Sequence, residues 1–351
     1  MKKFYIGLLT ITLLIILSLS VFGADKPLIG LSFSDFTLER WVREAEEMTK
    51  LANDAGAEVI VQEANHDPKI QNDQIENMVL QGADVILIVA EDGAAAATAV
   101  DAATEAGVKC IAYDRLIKSP NNAVYISFDN VEVGREQARG VLADRDSGKF
   151  ALLGGSPTDN NAVLVRQGQM EILQPYIDSG QIEIVADQWV PNWDTAEALK
   201  IMENMLTATN NEIDAVVASN DSTALGAIEA LRAQGLAGKV PISAQDATAA
   251  GCNAIAKGEL TVSVYKDIRK LVPLSIEIAV KIAKGEAIEG LEEYSLAELT
   301  GEDLEGRVPC RFLEVVGATQ DNLYEVIVKS GYQSYDDVYR GVPEEDRPPR
   351  I

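Results

Sequence analysis

The stretch Asp84-Val85-Ile86-Leu87-Ile88-Val89 is, after its first residue, a continuous run of β-branched and aliphatic side chains. A run without polar alternation indicates a strand that is buried on both faces, as strands inside a parallel sheet are. Similar short runs flank it at 28–33, 58–61, 109–113 and 124–127, and the segments between them carry apolar residues at helical spacing. Several of these segments end in a glycine that can cap a helix in the left-handed conformation. The pattern predicts an α/β unit in which helices cover both faces of a parallel sheet.

The same pattern occurs a second time further along the chain. Short apolar runs lie at 150–154, 182–185, 213–218, 240–243 and 261–265, and most strand starts in both sets are about 25–30 residues apart. Two such units in tandem predict two doubly wound lobes of similar design. A helical stretch at 271–284 and a strand-like segment at 312–316 follow, and they could return one to each lobe. The end of the chain, 331–351, is polar and contains three prolines, so we expect a loose tail.

The N-terminus has the pattern of an export signal. Two lysines precede an apolar run over 4–22, and the small residues Gly23 and Ala24 follow it. This order is typical of a secretory signal peptide, which we place at 1–24. An uncleaved membrane anchor is the alternative, because the run is almost long enough to span a bilayer. We therefore expect an exported protein that works in the periplasm.

The composition excludes several classes of function. The 351 residues suggest about two domains, and 55 acidic against 30 basic side chains give a formal net charge of −25. Such acidity argues against a nucleic-acid partner, because phosphate binding needs a basic face. One histidine and three cysteines cannot form a multi-histidine or four-cysteine metal site, and we expect neither a metal nor a cofactor. Cys110 is predicted to be a buried free thiol, whereas a disulfide between Cys252 and Cys310 is an open alternative.

Polar side chains concentrate just after the predicted strands of both lobes. Parallel strands bring their carboxyl ends to one edge of the sheet, and ligands of open α/β sheets bind there. All three tryptophans fall in these positions or in the helix that follows. The segments are Ser34-Asp35, Glu39-Arg40-Trp41, Asn65-His66-Asp67, Glu91-Asp92-Gly93, Asp114-Arg115, 155–161, 188–193, Asn220-Asp221, Gln245-Asp246 and Lys266. Taken singly, such residues are also typical helix caps and turn residues, so the ensemble is more informative than any member.

The chemistry of this set suits a small neutral polyol. A tryptophan ring offers a flat apolar surface for the C–H face of a sugar, and a hydroxyl group needs both a donor and an acceptor. Arginine and lysine donate, aspartate accepts, and asparagine does both. The balanced charges are Arg40, Arg115 and Lys266 against Asp114, Asp159 and Asp246. A phosphorylated or carboxylate ligand would favour an unbalanced cationic site instead.

No strong motif for catalysis is present in the sequence. The glycine-rich G-x-G-x-x-G and Walker loops are absent, and 154–157 lacks the second glycine of a nucleophile elbow. The adjacent acids Glu91-Asp92 would point to opposite faces of a strand, unlike a pair of glycosidase carboxylates. A secreted sugar-modifying enzyme is one alternative. The sensor of a transcription regulator is another, although it would need a DNA-binding unit where this chain has the signal-peptide pattern.

Several longer segments carry a resemblance to a known family. They are Leu38-Glu39-Arg40-Trp41, Gln74-Ile75-Glu76-Asn77-Met78, Ala112-Tyr113-Asp114-Arg115, Tyr125-Ile126-Ser127-Phe128-Asp129-Asn130, Gly154-Gly155-Ser156-Pro157, Asp159-Asn160-Asn161-Ala162, Asp187-Gln188-Trp189-Val190, 198–204 and 215–221. They resemble the D-xylose-binding periplasmic proteins, which are type I periplasmic sugar-binding proteins of ABC transporters. The resemblance covers about residues 28–330. The segment Ala90-Glu91-Asp92 departs from the family's usual loop after the third strand, and Ser243-Ala244-Gln245-Asp246 departs at one position.

The resemblance implies two doubly wound lobes joined by a three-segment hinge. The N-terminal lobe would comprise 25–132 plus 267–295, the C-terminal lobe 133–266 plus 296–330, and the tail 331–351. Lobes of periplasmic binding proteins in general close around their ligand. The implied function is a periplasmic receptor that captures D-xylose and delivers it to the membrane permease of an ABC importer, with a chemoreceptor as a further partner that the family allows. Glucose, or both sugars, is the alternative ligand.

The resemblance also implies a ligand-binding set. Matching residue by residue gives Arg40, Trp41, Arg115, Asp159, Asn161, Trp193, Asn220, Asp246 and Lys266. We add Asp114 because it follows a predicted strand directly. The two tryptophans Trp41 and Trp193 would hold the sugar ring between them, and the polar side chains would bind its hydroxyl groups.

Overall fold

The computed structural model describes residues 26–350. Its first elements in chain order are β1 (Leu28–Phe33), α1 (Glu39–Asp54), β2 (Glu58–Glu63), α2 (Pro68–Leu80), β3 (Val85–Ile88), α3 (Ala95–Glu105), β4 (Lys109–Tyr113), β5 (Asn122–Phe128), α4 (Asn130–Asp144), β6 (Gly148–Gly154), α5 (Asn160–Asp178) and β7 (Ile182–Trp189). A short 3₁₀ turn (Pro191–Trp193), α6 (Thr195–Ala208), β8 (Ala215–Ala218), α7 (Asp221–Ala233), β9 (Ser243–Gln245), α8 (Ala249–Ala256), β10 (Val262–Tyr265) and α9 (Ile268–Ala283) follow. The last elements are β11 (Glu292–Ser295), α10 (Leu296–Thr300), β12 (Arg307–Leu313), β13 (Val316–Thr319), a π-helical turn (Tyr324–Val328), α11 (Tyr335–Val338) and a 3₁₀ turn (Glu344–Asp346).

The first lobe is built on a seven-stranded sheet with the strand order β11-β12-β5-β4-β3-β1-β2. All its pairings are parallel except that of β11 with β12. The apolar run that predicted β3 is buried at every position of that strand. Helices α1 and α9 pack on one face of the sheet, and α2, α3 and α10 pack on the other. The sheet is therefore covered on both sides, as the continuous apolar runs predicted.

The second lobe contains the strand sets β7-β6-β8 and β13-β10-β9. A parallel bridge between Val216 and Ile242 joins the two sets, so the order is β7-β6-β8-β9-β10-β13. Helices α4 and α5 pack on one face, and α6, α7 and α8 contribute to the core on the other. The chain crosses between the lobes at three places, after β5, after β10 and after β12. The carboxyl ends of the parallel strands of the two lobes face each other across a cleft.

The structure places one segment in a different lobe from the one we expected. Residues 296–313 were assigned to the C-terminal lobe, but β12 pairs in parallel with β5 of the first sheet, from Cys310 beside Tyr125 to Leu313 beside Phe128. Leu296 and Leu299 of α10 are buried in the core of the same lobe. The reason is that β5 offers a free edge, on which the ring of Phe312 packs 5.5 Å from that of Tyr125. The chain enters the second lobe only with β13, which pairs antiparallel with β10.

The expectation of a loose tail at 331–351 is also wrong. Tyr332, Val338, Tyr339 and Val342 are buried in the core of the second lobe. Asn253 of α8 fixes the segment further, because its Nδ2 donates to the carbonyl oxygens of Val338 and Arg340, each at 2.8 Å. The prolines suggested a tail, but the aromatic and aliphatic side chains between them have enough apolar surface to pack.

All three cysteines, Cys110, Cys252 and Cys310, are buried free thiols. Cys110 is a buried free thiol, as predicted. Cys252 and Cys310 are also free and belong to the cores of different lobes, so the alternative of a disulfide between them is wrong. The predicted signal peptide, 1–24, lies outside the described residues. Within residues 26–350, no helix combines the length and the apolar character needed to cross a bilayer.

Candidate functional site

Side chains from both lobes and from the hinge line one cavity in the cleft. Its twelve lining residues are Leu38, Arg40, Trp41, Asp114, Arg115, Asp159, Asn161, Trp193, Asn220, Gln245, Asp246 and Lys266. The structure thus brings together all ten residues of the predicted ligand-binding set. Leu38 and Gln245 are the two that the prediction left out. Gln245 ends β9 directly before Asp246, so its position at a strand end was the signal that could have included it.

An ionic network orients the first-lobe wall of the cavity. Arg40, in the first turn of α1, donates from Nε to Glu44 at 2.6 Å and from Nη2 to Asp114 at 2.8 Å. The phenol of Tyr113 donates to the other oxygen of Glu44. Burial opposes the charge of Arg40, but the neighbouring carboxylates of Asp114, Glu44 and Asp246 raise its pKa well above the ordinary value. Arg40 is therefore a fixed cation with few conformational choices.

Asp114 shows how the backbone sets the direction of a site residue. Its φ is +60°, a left-handed conformation that aspartate tolerates better than most residues. The carbonyl oxygen of Asp114 accepts bonds from Ser127 Oγ at 2.6 Å and Asn161 Nδ2 at 3.0 Å, and these bonds hold the turn. Burial alone would raise the pKa of Asp114, but the charges of Arg40, Lys266 and Arg115 lower it below its usual value. It is thus an ionised acceptor.

Helix caps orient the second-lobe wall. Asp159 is the N-cap of α5 and accepts from the backbone N–H of Asn161 at 2.9 Å. Its other oxygen accepts from Arg115 Nε at 2.9 Å and from Trp193 Nε1 at 3.2 Å. Burial outweighs the charge of Arg115 and raises the pKa of Asp159. Asn220 is the N-cap of α7 and forms a capping box with Thr223, which leaves its Nδ2 without a partner among the described residues.

Trp193 lies against the backbone and cannot shift toward it. A Cβ atom at Gly155 would lie 2.1 Å from the indole ring, so only glycine leaves room for the ring at this point. Trp193 itself has a φ of +57° and is 4% exposed. Trp41, on the opposite wall, lies beneath the guanidinium groups of Arg40 and Arg115, 4.3 and 5.6 Å from the ring centre. Both rings are thus held in place by direct packing partners.

Asp246 connects the hinge with both lobes. It follows β9 with a φ of +94°, accepts from Lys266 Nζ at 3.0 Å, and lies 3.4 Å from Arg40 Nη1 of the first lobe. The adjacent Gln245 has a buried Oε1 without a partner among the described residues. A buried polar atom without a hydrogen bond is costly, so a donor from a ligand would satisfy it. These groups offer paired donors and acceptors on one face of the cavity.

A second polar cluster borders the cavity at its first-lobe rim. His66 is 20% exposed and has Nδ1 3.2 Å from Glu91 Oε2 and Nε2 3.0 Å from Thr37 Oγ1. Asp35, His66 and Glu91 each offer one possible ligand atom, and these three atoms lie within 4.8 Å of one another. Carboxylate oxygens and imidazole nitrogens are both able to bind metal ions. However, Asp35 already accepts from two backbone N–H groups and two hydroxyls, so the hydrogen bonds account for its position. Glu91 lies 3.9 Å from Arg115 Nη1 and connects the rim with the cavity.

Comparison with known proteins shows the family of the chain. Residues 29–287 match the family described as "Periplasmic binding protein domain". The chain belongs to this family. The periplasmic binding protein is 44% identical to a D-xylose-binding periplasmic protein of Haemophilus influenzae, over 89% of this chain and 92% of the relative. It is also 44% identical to the D-xylose-binding periplasmic protein of Escherichia coli, over 93% of this chain and 96% of that relative. A multiple sugar-binding periplasmic receptor of Rhizobium radiobacter is 32% identical over 90% of this chain and 93% of that relative.

Solved structures of sugar-binding proteins have the same fold. An ABC transporter solute-binding protein of Clostridium phytofermentans with bound β-D-glucose is 30% identical, with a TM-score of 0.78 over 89% of this periplasmic binding protein and 99% of that chain. A carbohydrate transporter solute-binding protein of Chloroflexus aurantiacus in complex with D-glucose is 28% identical, with a TM-score of 0.80 over 88% of this chain and 97% of that chain. The predicted fold class, two parallel-sheet lobes of a type I periplasmic binding protein, is confirmed.

Proposed function

We propose that this periplasmic binding protein captures D-xylose between its lobes and delivers it to the membrane permease of an ABC importer. One observation carries the proposal: all ten residues of the predicted sugar-binding set line a single cavity between the lobes. Relatives named as D-xylose-binding proteins at 44% identity support the choice of sugar. Gln245 joins the proposed set because it lines the same cavity.

The charge of the cavity favours a neutral ligand. Three cationic and three anionic side chains line it, Arg40, Arg115 and Lys266 against Asp114, Asp159 and Asp246, and they pair with one another. A sugar hydroxyl can accept from the cation and donate to the carboxylate of one such pair. An anionic ligand would leave the three carboxylates facing like charge. The cavity is thus suited to a polyol.

The size of a pentose requires that nearly all its polar atoms are bound. A pentose has about ten heavy atoms, and micromolar affinity corresponds to about −8 kcal/mol, or about −0.8 kcal/mol per atom. This is more than half of the best value known for small ligands, about −1.5 kcal/mol per atom. A cleft that closes on the sugar from both lobes can supply so many contacts. The rings of Trp41 and Trp193 would cover the two faces of the sugar.

D-Glucose is the second candidate ligand. Two solved structures of the same fold, at 30% and 28% identity, contain β-D-glucose or D-glucose. A hexose carries an additional CH₂OH group, so discrimination would rest on steric exclusion beside that carbon. The rim loop with Glu91 departs from the family's usual sequence and is close to Arg115, which makes this loop the natural place for a difference in selectivity.

Location and partners follow from the same proposal. The relatives are named as periplasmic proteins, and the signal-peptide pattern at 1–24 would direct export. In the closed form the two lobes would present a surface that the permease recognises, with a chemoreceptor as a further partner. The protein would act without catalysis, a cofactor or a metal.

Calorimetry with the protein lacking residues 1–24 tests the proposal directly. We expect heat of binding with D-xylose and weaker or no heat with ribose and arabinose. The affinity for D-glucose, measured in the same way, shows which of the two candidate sugars the protein prefers. Arg115→Met should abolish binding, because it removes a cation from the cavity. Arg166→Met is the control: the side chain of Arg166 is 11% exposed, lies 4.9 Å from the ring of Trp189, and is outside the cavity lining. No heat with any pentose or hexose would refute the function.

A further inference from the structure

The loop that carries Asp246 has an unfavourable backbone. Asp246 and Ala247 have consecutive positive φ values, +94° and +47°. Side chains other than glycine rarely adopt such values, and they persist only where the surroundings enforce them. The loop therefore needs external hydrogen bonds to stay in the conformation that directs the Asp246 carboxylate toward Lys266 and Arg40.

One set of bonds comes from inside the second lobe. Asp221 accepts from the backbone N–H of Thr248 at 2.7 Å and from Ser263 Oγ at 2.6 Å. Ser263 Oγ in turn accepts from the backbone N–H of Ala247 at 3.0 Å. These bonds satisfy the amide groups of the loop. They leave its carbonyl groups to other partners.

The carbonyl groups of the loop are held by the C-terminal segment that we expected to be a loose tail. Gln333, which is 9% exposed, donates from Nε2 to the carbonyl oxygen of Ala247 at 3.0 Å. The phenol of Tyr332 donates to the carbonyl oxygen of Asp246 at 3.3 Å. Two neighbouring residues thus bond the carbonyl groups of the two strained residues.

The ring of Tyr332 also contacts the other lobe. The guanidinium carbon of Arg43, on α1, lies 5.2 Å from the ring centre, and that of Arg269, on α9, lies 5.3 Å from it. Tyr265, beside the hinge residue Lys266, packs against the same ring with 4.6 Å between centres. The C-terminal segment therefore touches the first lobe, the hinge and the site loop at one place.

The geometry points to Tyr332 and Gln333 as positioning residues of the sugar site. They hold the backbone of Asp246 and Ala247 so that the Asp246 carboxylate stays between Arg40 and Lys266. This inference rests on the proposed sugar binding. It gives the C-terminal segment a role in ligand affinity, although neither side chain lines the cavity.

A double-mutant cycle in calorimetry tests this role. Gln333→Met keeps the approximate length of the side chain and removes the donor, and we expect sugar binding about fivefold weaker, the effect of one lost hydrogen bond. In an Asp246→Asn background the same substitution should weaken binding less than twofold, because residues that act through one another are not additive. Tyr332→Phe should behave similarly. Tyr339→Phe, on the same segment and equally buried, is the control and should bind like the wild type.

Hydrogen exchange of the ligand-free protein gives an independent readout. In Gln333→Met the amides of Ala247 and Thr248 should exchange faster than in the wild type and in Tyr339→Phe. Wild-type affinity and unchanged exchange in Gln333→Met would overturn the inference, and so would an equal loss of affinity in both backgrounds. If the wild type bound no sugar, the proposed function would fail, and the exchange of these two amides would still decide whether Gln333 holds the loop.

Discussion

The two walls of the cleft hold their polar side chains by different means. On the first-lobe wall, Arg40, Glu44 and Asp114 orient one another through buried ion pairs. On the second-lobe wall, Asp159 and Asn220 each cap the helix that begins at the next residue, and Asp159 in addition accepts from Arg115 of the first lobe. One wall depends on charge balance between side chains, and the other depends on the geometry of helix N-termini.

Because of this difference, substitutions on the two walls should affect protein stability to different degrees. Removing one member of a buried ion pair leaves its partner as an uncompensated charge, which is among the most destabilising changes known. Removing a helix cap usually costs only about 1 kcal/mol. Substitutions on the two walls should therefore weaken sugar binding alike, but they should differ widely in their effect on the free energy of unfolding.

Arg40→Met should have the largest effect. It leaves the buried carboxylates of Glu44 and Asp114 without their main cation, and we expect the free energy of unfolding to fall by about 3–5 kcal/mol. Urea unfolding measures the loss, and calorimetry should show no sugar binding. Lys50→Met on the same helix is the control, because Lys50 is exposed and its ion pair contributes less than about 1 kcal/mol. Similar losses in both variants would contradict a network that fixes this wall.

Asp221 should make the stability of the second lobe depend on pH. Burial, with the charge of Asp246, raises the pKa of Asp221 from 3.8 to about 7. The folded state then binds the proton more tightly than the unfolded state, so stability contributed by the protonated acid is complete below pH 3.8 and is lost as the pH rises to about 7. Between pH 5 and 8 we expect the wild type to lose about 2.5 kcal/mol of unfolding free energy relative to Asp221→Asn.

Urea unfolding at several pH values measures this difference. Asp178→Asn, at the exposed end of α5, is the control for replacing an aspartate by asparagine on the surface of the same lobe. If the unfolding free energies of Asp221→Asn and of the wild type changed in parallel between pH 5 and 8, Asp221 would be ionised in the folded protein over this whole range. The helix-capped wall would then need no proton to be stable.

The sequence predicted the architecture well where the physical signal is local. Continuous apolar runs identify strands such as β3, and the edge rule for parallel sheets gathers Asp114 and Asn220 into one cleft. What could not be predicted depends on long-range pairing. The segment 307–313 is a plausible strand for either sheet, and only the free edge of β5 decides its place.

The same limit explains the C-terminal segment and the missing site residue. Prolines and charges made 331–351 look like a tail, and no local rule says that Tyr332 and Tyr339 find a hydrophobic surface between α8 and the hinge. Gln245 follows a predicted strand, but the ligand set that the family resemblance implies contains only Asp246 beside it. How the two walls are held was also hidden, because ion pairs such as Arg40 with Glu44 and Asp114 appear only in three dimensions.

Trp193→Ala should weaken sugar binding by at least tenfold, about 1.4 kcal/mol or more, because it removes a buried ring from the cavity wall. It also removes the Nε1 donor to Asp159. Calorimetry measures the change in affinity. Trp189→Ala is the matched control: this tryptophan packs on Arg166 and does not line the cavity, so its affinity should stay within about twofold of the wild type. Equal losses of affinity would mean that the effect comes from the lobe as a whole.

Asn220→Ala should have the smallest effect on stability and still a large effect on binding. It removes the cap of α7, about 1 kcal/mol of unfolding free energy, and an amide donor in the cavity, with affinity at least tenfold lower. Ser295→Ala removes the capping box of α10, which lies outside the cavity, and should cost similar stability without changing affinity. Asn220→Ser separates the two roles, because serine can cap a helix but lacks the amide. If Asn220→Ser kept wild-type affinity, the cap alone would be what the second-lobe wall requires at this position.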